Sequence, residues 1–363
     1  MPLQYEPIYG GKIVKTSDGH LELNNGTYIG QGAAAEVHRI SAQKAVKVYK
    51  DIAYASEHRD KLTILCEKSP GFYESIIAPR DLVYIHSNGG GEVLCGFTMR
   101  LVVDAETLDR YYWNPHVTPE EENDFDQNAA NLLYDLSEGL KAIHRSRVVI
   151  GDLKPDNILI SGGKAYIVDV DSASILPDYL ADSYTSEYVD PRLKRDYKTA
   201  GPYQFDPESD WWAVGVIAFN MFLGALPWVG RHPRMRNPIE RAYHYSVVGL
   251  DKEVLVPTGG RMRSIEWLED KSRLQTYFRG IFSNDPVARY PIDNVLEAYF
   301  QRPSSGTRLA YRSKARGSTL LSPEERERYE TIFNRIEEKA RQSVDTRELA
   351  RQDFLDYMLG RKK

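Results

Sequence analysis

Polar side chains of the types that catalyse phosphoryl transfer follow short apolar runs in the middle of the chain. Asp152, Lys154 and Asn157 come after one such run, and the carboxylates of Asp169 and Asp171 come after another. Phosphoryl transfer requires a carboxylate that accepts the hydroxyl proton, a cation near the moving phosphate and hard oxygen ligands for Mg²⁺. The residue types make Asp152 the candidate base and Lys154 the candidate cation. Asn157 and Asp169 are the candidate metal ligands.

Three apolar runs must position these side chains. The run VVI precedes Asp152, ILI follows Asn157 and YIV precedes Asp169, with a Gly-Gly pair between the last two runs. Short runs that are rich in β-branched residues and bounded by glycine predict buried strands. The polar side chains then lie at the ends of strands that pack on a core. The alternative is a plain hairpin with solvated charges in its loops.

A glycine-rich turn and a lysine in an apolar strand form a second group of candidates. Gly30 and Gly32 lie between two predicted strands, and Lys47 lies one strand later in the run Ala-Val-Lys-Val. A lysine inside an apolar strand requires an anionic partner, and a glycine-rich turn exposes backbone N–H groups to the same anion. Two glycines alone also occur in many hairpins, where they permit positive φ. The combination with Lys47 favours a phosphate site.

These motifs, taken in order, resemble those of the protein-kinase family. The segment D-L-K-P-D-N resembles its catalytic loop, V-D-V-D its metal-binding loop, and the glycine-rich turn with Lys47 its nucleotide loop. Asp210 lies in a match to the start of the large C-lobe helix, and Arg289 lies in a match to the arginine motif near the end of the fold. The resemblance covers about residues 25–300, and the pattern is similar to that of divergent bacterial Ser/Thr kinases.

The resemblance implies an α+β, two-lobed protein-kinase-like fold with a β-rich N-lobe and a mainly helical C-lobe. We expect the N-lobe over residues 1–102 and the C-lobe over residues 103–302. A basic, Ser/Gly-rich segment at 303–321 predicts a flexible linker. Residues 322–363 carry two capped amphipathic patterns and predict a C-terminal helical hairpin. Four roles stay open for this tail, namely autoinhibition, buttressing of the C-lobe, self-association and binding of a partner.

The resemblance also implies where a nucleotide would bind. Gly30, Gly32 and Val37 match the nucleotide loop, in which an alanine replaces the third glycine, and Lys47 would contact the α- and β-phosphates. The adenine ring would be sandwiched by the apolar side chains of Ile29, Ala45 and Leu159. Met99 would close the back of the adenine pocket, and the hinge backbone of Arg100–Val102 would form hydrogen bonds with the edge of the ring.

A glutamate from the helix that follows is expected to hold Lys47. Residues 51–68 predict one helix, and kinases place there a glutamate that pairs with the lysine. Glu57 is the first candidate because several residues at helical spacing share its face. Glu67 fits the family's usual separation from the lysine better, but Pro70 ends the helix soon after it.

Two catalytic motifs depart from the family pattern. The family's H-R-D is Ile-Gly-Asp here, so Gly151 stands where an arginine usually binds a phosphorylated activation segment. No guanidinium is available there for a bidentate phosphate contact, and we expect activity that does not depend on activation-segment phosphorylation. The family's D-F-G is Asp-Val-Asp, so either Asp169 or Asp171 could bind Mg²⁺. Asp169 is favoured because a predicted strand ends directly before it.

The end of the activation segment departs from the pattern as well. The family's A-P-E is Asp190-Pro191-Arg192, which lacks the glutamate that pairs in the family with the arginine at the position of Arg289. We expect Asp190 or Glu187 to take the place of that glutamate.

Composition and charge argue against several other classes of protein. The chain has 363 residues and a net charge of −5, which disfavours a generally basic nucleic-acid-binding protein. Cys66 and Cys95 lie among apolar residues, and the first residues lack the apolar core of a signal peptide, so we expect a cytoplasmic protein with reduced thiols. The apolar run at 211–226 approaches the length of a membrane span, but its capped start and the proline after it predict a buried core helix.

The sequence thus predicts a Ser/Thr protein kinase that uses ATP and Mg²⁺, with Mn²⁺ as an alternative metal and a protein hydroxyl as acceptor. By resemblance, a lysine two residues after the base is typical of Ser/Thr kinases. One alternative is a small-molecule kinase of the aminoglycoside or choline type, which the I-G-D-L and V-D-V-D patterns favour. Another is a pseudokinase that binds nucleotide as a scaffold, which the altered motifs favour. Neither a clear nucleic-acid site nor a membrane span is expected.

Overall fold

The structure, a computed structural model, describes residues 11–86, 90–113, 118–181, 184–195, 205–255 and 262–302. The predicted linker at 303–321 and the predicted hairpin at 322–363 lie outside the described residues. The chain forms two compact units. The first takes in the described residues of Met1–Tyr111, Asp135–Val189 and Tyr197–Asp210, and the second takes in those of Tyr112–Tyr134, Asp190–Asp196 and Trp211–Lys363.

An antiparallel sheet of seven strands is the main element of the first unit, as far as the described residues show. Its strands are β1 (Ile13–Thr16), β2 (Gly19–Glu22), β3 (Tyr28–Gln31), β4 (Ala35–Arg39), β5 (Lys44–Tyr49), β6 (Asp81–His86) and β7 (Glu92–Arg100). They lie in the order β2-β1-β6-β7-β5-β4-β3, and each neighbouring pair is antiparallel. The inner strand β5 is buried on both faces, which explains its nearly continuous apolar run.

Alternation along β5 separates one apolar core from the face that carries Lys47. Val46 and Val48 belong to an apolar cluster on one face of the sheet. Tyr49 belongs with Phe97 to a second cluster. Since residues two apart share a face of a strand, Lys47 lies on the side of Tyr49.

Two helices replace the single helix that was predicted at 51–68. Helix α1 spans Ile52–Glu57, and helix α2 spans Arg59–Lys68. The break falls at His58, whose backbone has φ −95° and ψ 11°. Because the backbone leaves the helical region there, the side chains of α1 and α2 do not form one continuous face. The predicted helical face that favours Glu57 is therefore interrupted.

Short strands frame the catalytic segment. They are β8 (Glu106–Thr107), β9 (Val148–Val149), β10 (Ile158–Ser161), β11 (Lys164–Ile167) and β12 (Ser174–Ile175). One sheet has the order β11-β10-β8, and β9 pairs with β12. The Gly162-Gly163 pair joins β10 to β11 with positive φ at both residues, which a two-residue hairpin turn of this kind requires. The three predicted strands correspond to β9, β10 and β11.

Helices make up much of the remaining described chain. They are α3 (Pro119–Arg145), α4 (Pro191–Arg195), α5 (Pro207–Leu223), α6 (Pro238–Tyr243), α7 (Glu266–Glu269), α8 (Ser272–Ile281) and α9 (Asp293–Leu296). The side chain of Asp206 caps α5 by accepting a hydrogen bond from the N–H of Ser209 over 2.8 Å. Most of α5 is buried, so the run at 211–226 contributes a core helix, as predicted. Among the described helices, none combines the length and the apolar character that crossing a membrane requires.

Candidate active site

The carboxylate of Asp210 holds the backbone of the catalytic loop. Its Oδ2 accepts a hydrogen bond from the N–H of Ile150, and its Oδ1 accepts one from the N–H of Gly151, both over 2.9 Å. The Nε2 atom of His144 lies 2.8 Å from Oδ2. Asp210 is fully buried, so these charge-assisted hydrogen bonds fix the loop directly before Asp152.

The conformation of Gly151 explains why the loop carries no arginine at this position. Its φ is +75°, a value that residues with a Cβ rarely adopt. A Cβ at residue 151 would also lie 3.1 Å from the ring of Phe205. The ring therefore fills the direction in which a side chain would extend, a contact that the sequence analysis did not foresee.

An ion pair and a hydrogen bond link Asp152, Lys154 and Thr185 into one group. The Nζ atom of Lys154 lies 3.0 Å from Oδ2 of Asp152 and donates a hydrogen bond to Oγ1 of Thr185 over 2.8 Å. The other carboxylate oxygen of Asp152, Oδ1, is buried and has no hydrogen-bond partner among the described residues. The predicted base and cation are thus neighbours, and one oxygen of the base is available to a further donor. Thr185 was missed, although it lies in the predicted activation segment.

Asn157 is positioned by the loop that carries the predicted base. Its Nδ2 donates a hydrogen bond to the carbonyl oxygen of Asp152 over 3.0 Å. The side chain is buried, and the bond to Asp152 uses the nitrogen of the amide. The Oδ1 atom accepts no hydrogen bond from the part of the chain that the structure describes, which leaves a hard oxygen for another ligand.

Lys47 lies between the two carboxylates that follow β11. Its Nζ donates a hydrogen bond to Oδ1 of Asp169 over 3.0 Å, and hydrogen bonds of 2.8 and 2.9 Å to the two oxygens of Asp171. The hydroxyl of Tyr49 donates a further hydrogen bond to Asp171 over 2.7 Å. The Asp171 side chain is 6% exposed and the Asp169 side chain is 51% exposed. The two carboxylates therefore differ sharply in their access to solvent.

The electrostatics of this group follow from burial and ion pairing. Burial alone lowers the pKa of the Lys47 ammonium group, but the attraction of Asp171 and Asp169 outweighs burial and raises it. Burial raises the pKa of Asp171, and the Lys47 charge with the Lys47 and Tyr49 hydrogen bonds outweighs it and lowers that pKa. Burial and the neighbouring Asp171 charge both raise the pKa of the Tyr49 hydroxyl. Lys47 and Asp171 are therefore both charged at neutral pH.

The glutamate predicted to hold Lys47 lies elsewhere, which corrects the sequence analysis. Glu57 is the last residue of α1 and is exposed, and Glu67 in α2 is exposed as well. Within the described ranges, Lys47 forms ion pairs with Asp169 and Asp171 and with neither glutamate. The reason is that Asp171, which stands where the family's D-F-G motif has glycine, supplies the carboxylate.

The sheet brings four of the predicted nucleotide-binding residues to one face. Val37 lies opposite Lys47 in the β4–β5 ladder, and Ala45 lies opposite Met99 in the β5–β7 ladder. Directly opposed residues point to the same side of a sheet, and residues two apart on one strand do so too. Val37, Ala45, Lys47 and Met99 therefore share the face that also carries Tyr49.

Other predicted nucleotide-binding residues lie on neighbouring elements. Gly30 is in β3 and Gly32 follows β3, and a Cβ at either position would meet no atom within 4 Å. The backbone of this turn therefore borders open space. Ile29 in β3 is 44% exposed. Leu159 lies in β10 and Val102 follows β7, and both are half-buried.

The side chain of Arg100 is held by contacts within the first unit. Its Nη2 donates a hydrogen bond to the carbonyl oxygen of Glu74 over 2.8 Å, and its guanidinium group lies 4.9 Å from the centroid of the Tyr166 ring. The N–H of Leu101 donates to the carbonyl oxygen of Gln43 over 2.9 Å. The predicted adenine contact of the Arg100 and Val102 backbone stays a prediction.

Asp190 takes the place of the glutamate of the family's A-P-E motif, which this chain lacks. Within the second unit, Oδ2 of Asp190 pairs with the guanidinium group of Arg289 and accepts a hydrogen bond from Nε of Arg192 over 2.6 Å. Asp190 and Arg289 are both buried, whereas Glu187 is exposed. Of the two candidates, the structure therefore selects Asp190.

The antiparallel sheet, the catalytic loop and the helices that follow define a two-lobed protein-kinase-like fold. A family model described as a protein kinase domain matches residues 91–300. Because this match covers more than half of the chain, the chain belongs to the protein kinase family, as the sequence motifs predicted. The match begins after Lys47, and the structure places the earlier strands in one sheet with β7.

The chain is also similar to several curated kinases over parts of their length. It is 25% identical over 233 residues to a Caenorhabditis elegans protein named for ribosomal protein S6 kinase alpha-2, covering 58% of this chain and 28% of that relative. It is 33% identical over 118 residues to the serine/threonine-protein kinase pkn2 of Myxococcus xanthus, covering 29% of this chain and 14% of that relative. A myotonin-protein kinase of Mus musculus is 33% identical over 102 residues, which are 26% of this chain and 16% of that relative. The chain therefore spans less than a third of each of these relatives.

Proposed function

We propose that this protein kinase transfers the γ-phosphoryl group of ATP to a Ser or Thr hydroxyl of a protein. The hydrogen bond between Lys154 and Thr185, beside Asp152, carries the proposal. It ties the catalytic loop to the activation segment, the segment on which kinases seat a protein acceptor. The similarity to proteins named as serine/threonine-protein kinases supports the same acceptor class.

Asp152 is the proposed base. Its buried Oδ1 has no hydrogen-bond partner in the described part of the chain and can accept the proton of the acceptor hydroxyl. Lys154, 3.0 Å from the other oxygen of the carboxylate, would balance the negative charge on the phosphoryl group as it moves. Asp210 keeps the loop rigid through its two bonds to the backbone, so neither side chain has to be reoriented before the reaction.

Lys47 is the proposed ligand of the α- and β-phosphates. It is 11% exposed at its side chain, and it lies on the same sheet face as Val37, Ala45 and Met99. Those three side chains offer an apolar surface beside a fixed positive charge, which suits the adenine ring and the phosphates of one nucleotide. The open space at Gly30 and Gly32 would admit the phosphates close to the backbone.

Asn157 and Asp169 fit the chemistry of a divalent cation of the magnesium type. Each offers a hard oxygen: Oδ1 of Asn157 accepts no hydrogen bond from the described residues, and the Asp169 carboxylate is half-exposed. Mg²⁺ held there, or Mn²⁺ in its place, would offset charge on the β- and γ-phosphate oxygens.

A cytoplasmic location is part of the proposal. Cys66 and Cys95 are both free thiols, and Cys95 is buried in the core of the sheet. Free thiols of this kind are usual where the surroundings are reducing.

The test is a phosphotransfer assay with purified protein, ATP labelled at the γ-phosphate and Mg²⁺. A generic Ser/Thr protein acceptor is supplied in one reaction and a panel of aminoglycosides and choline in another. Asp152→Ala removes the base, and Asp156→Ala is the matched control because Asp156 is an exposed carboxylate of the same loop. We expect label in protein Ser or Thr with wild type and Asp156→Ala, and none above background with Asp152→Ala.

Other outcomes would overturn the proposal in distinguishable ways. Label that enters only the small molecules would make the protein a small-molecule kinase. ATP binding without transfer to any acceptor would make it a nucleotide-binding scaffold.

A further inference from the structure

We propose that Asp171 is the positioning residue for Lys47 and replaces the helix glutamate that the family uses. The inference rests on the proposed function, because that function gives Lys47 its role toward the phosphates of ATP. It assigns Asp171 to the lysine and leaves Asp169 for the metal ion. The lysine is then held by a residue that lies outside α1 and α2.

Three hydrogen bonds hold the carboxylate of Asp171. Lys47 donates to both of its oxygens, over 2.8 and 2.9 Å, and the hydroxyl of Tyr49 donates to Oδ2 over 2.7 Å. The Asp171 side chain is 6% exposed. A buried carboxylate that is bonded through both oxygens cannot move away without leaving an uncompensated charge behind. Asp171 therefore fixes the position of the Lys47 ammonium group.

Asp169 is held far less firmly. It receives one hydrogen bond from Lys47, over 3.0 Å, and half of its side chain is exposed. Solvent screens an ion pair in such a position, and its oxygens remain accessible. Asp169 can thus exchange the lysine for another cation while Asp171 retains it.

The backbone explains how two carboxylates only two residues apart come to differ. Asp169 has φ +60° and ψ 32°, and a short 3-10 turn, Val170–Ser172, follows it. The hydroxyl of Ser172 donates a hydrogen bond to the carbonyl oxygen of Asp169 over 2.8 Å and closes the turn. The family has glycine at the position of Asp171, and glycine has no side chain to offer to a lysine. The aspartate therefore supplies a charge that the family takes from a helix.

The helices offer no competing anchor. Glu57 and Glu67 are both exposed, and neither contacts Lys47 within the described ranges. In a kinase whose lysine is held by a helix glutamate, movement of the helix switches the site on or off. Here the anchor, Asp171, follows β11 in the chain, so the residue that holds the lysine lies outside α1 and α2.

A double-mutant cycle between Asp171→Asn and Lys47→Met tests the inference. If Asp171 acts only through the lysine, its loss matters only while the lysine is present. We expect Asp171→Asn to lower kcat/KM for ATP by about 100-fold, a typical cost of a misplaced contact. In the Lys47→Met background the same change should have no effect beyond about twofold. Asp171→Glu, which keeps the charge, should recover part of the loss.

Three comparisons separate this role from the alternatives. Asp171→Asn should leave the Mg²⁺ concentration for half-maximal rate unchanged, whereas loss of a metal ligand would raise it. Glu57→Gln should retain the wild-type rate, and so should Asp178→Asn, an exposed aspartate that serves as the matched control. Independent losses that multiply in the cycle, or a loss in Glu57→Gln equal to that in Asp171→Asn, would overturn the inference.

A milder variant and a binding measurement keep the test decisive. Tyr49→Phe removes one hydrogen bond from Asp171, and it replaces Asp171→Asn in the cycle if Asp171→Asn does not fold. Tyr49→Phe should lower kcat/KM less than Asp171→Asn does, and this loss should also vanish in the Lys47→Met background. The cycle is repeated on ATP affinity, measured by calorimetry in EDTA. If wild type binds ATP and phosphorylates nothing, the proposed function fails while the binding cycle still decides the role of Asp171. If transfer occurs and both cycles are additive, only the present inference fails.

Discussion

The ammonium group of Lys154 donates a hydrogen bond to the hydroxyl oxygen of Thr185 over 2.8 Å. The two residues are 31 positions apart in the sequence. Lys154 lies in the catalytic loop and Thr185 in the activation segment, so the contact joins these two segments. The same ammonium group lies 3.0 Å from Oδ2 of Asp152. A change at Thr185 should therefore alter the surroundings of Asp152, the proposed base, although Thr185 is neither acid nor base itself.

Replacement of the Thr185 hydroxyl tests this link. Thr185→Ala leaves Lys154 with the Asp152 contact alone, and we expect kcat to fall about tenfold, the worth of a hydrogen bond to a charged group. Thr185→Ser keeps the hydroxyl and should stay close to wild type. Steady-state kinetics on a Ser/Thr acceptor give the comparison, with Ser186→Ala as the control for a neighbouring hydroxyl. A Thr185→Ala rate equal to that of Ser186→Ala would show that the link is without effect.

Activity should not require phosphorylation of the activation segment. Gly151 carries no guanidinium group, and the ring of Phe205 fills the direction in which a side chain there would extend. The bidentate contact that makes phosphate an activator is therefore absent at this position. We expect phosphatase-treated protein, verified by mass spectrometry, to keep its rate within about threefold. A large loss that returns on rephosphorylation would contradict this expectation.

Substitution of all hydroxyls in the segment is a poorer test than dephosphorylation. Thr185 bonds to Lys154, and the hydroxyl oxygen of Ser174 accepts a hydrogen bond from the N–H of Ala181 over 2.9 Å. A loss of activity in such a variant would report on these contacts and not on phosphate.

The ion pair between Asp190 and Arg289 should contribute strongly to stability. Both residues are buried, and removing one partner leaves a charged group without compensation. We expect Asp190→Asn to lower the free energy of unfolding by about 3–5 kcal/mol. Denaturant titration measures this change, and Glu187→Gln is the control because Glu187 is the exposed carboxylate nearby. Equal stabilities for the two variants would refute the assignment of Asp190.

The two thiols should react slowly and with a shifted pH dependence. Burial raises the pKa of Cys66 to about 12 and that of Cys95 to about 12. Since the thiolate is the reactive form and a raised pKa keeps it scarce, the labelling rate should still climb above about pH 9 instead of levelling off. Labelling with a thiol reagent from about pH 7 to 10 measures this, with the unfolded protein as control. A plateau near pH 8.5 to 9 in the native protein would count against it.

Local patterns were sufficient for the elements of the catalytic segment. The β-branched runs and the Gly-Gly turn predicted β9, β10 and β11, because strand formation and hairpin turns depend on residues close in sequence. Since the loop between β9 and β10 carries Asp152, Lys154 and Asn157, these strands also determine where the three side chains lie. The same reasoning predicted the core helix within 211–226.

The partner of Lys47 could not be read from local patterns. Lys47 and Asp171 are 124 positions apart, and their contact depends on how the sheet and the metal loop fold together. Glu57 shares a face with its predicted neighbours only if residues 51–68 form one helix, and the helix breaks at His58. The contact between the Phe205 ring and Gly151 likewise joins residues that are far apart in the sequence, so no rule of local spacing predicts it.

The rate of Asp152→Asn tests the central claim most directly. The substitution keeps the size of the side chain and removes the negative charge that lets the carboxylate accept a proton. The rate of phosphoryl transfer should therefore fall, whereas nucleotide binding should not change. We expect kcat to fall by about 10³-fold with the affinity for ATP unchanged. A variant that transfers phosphate within a few-fold of the wild-type rate would contradict the assignment of Asp152 as the base of a protein kinase.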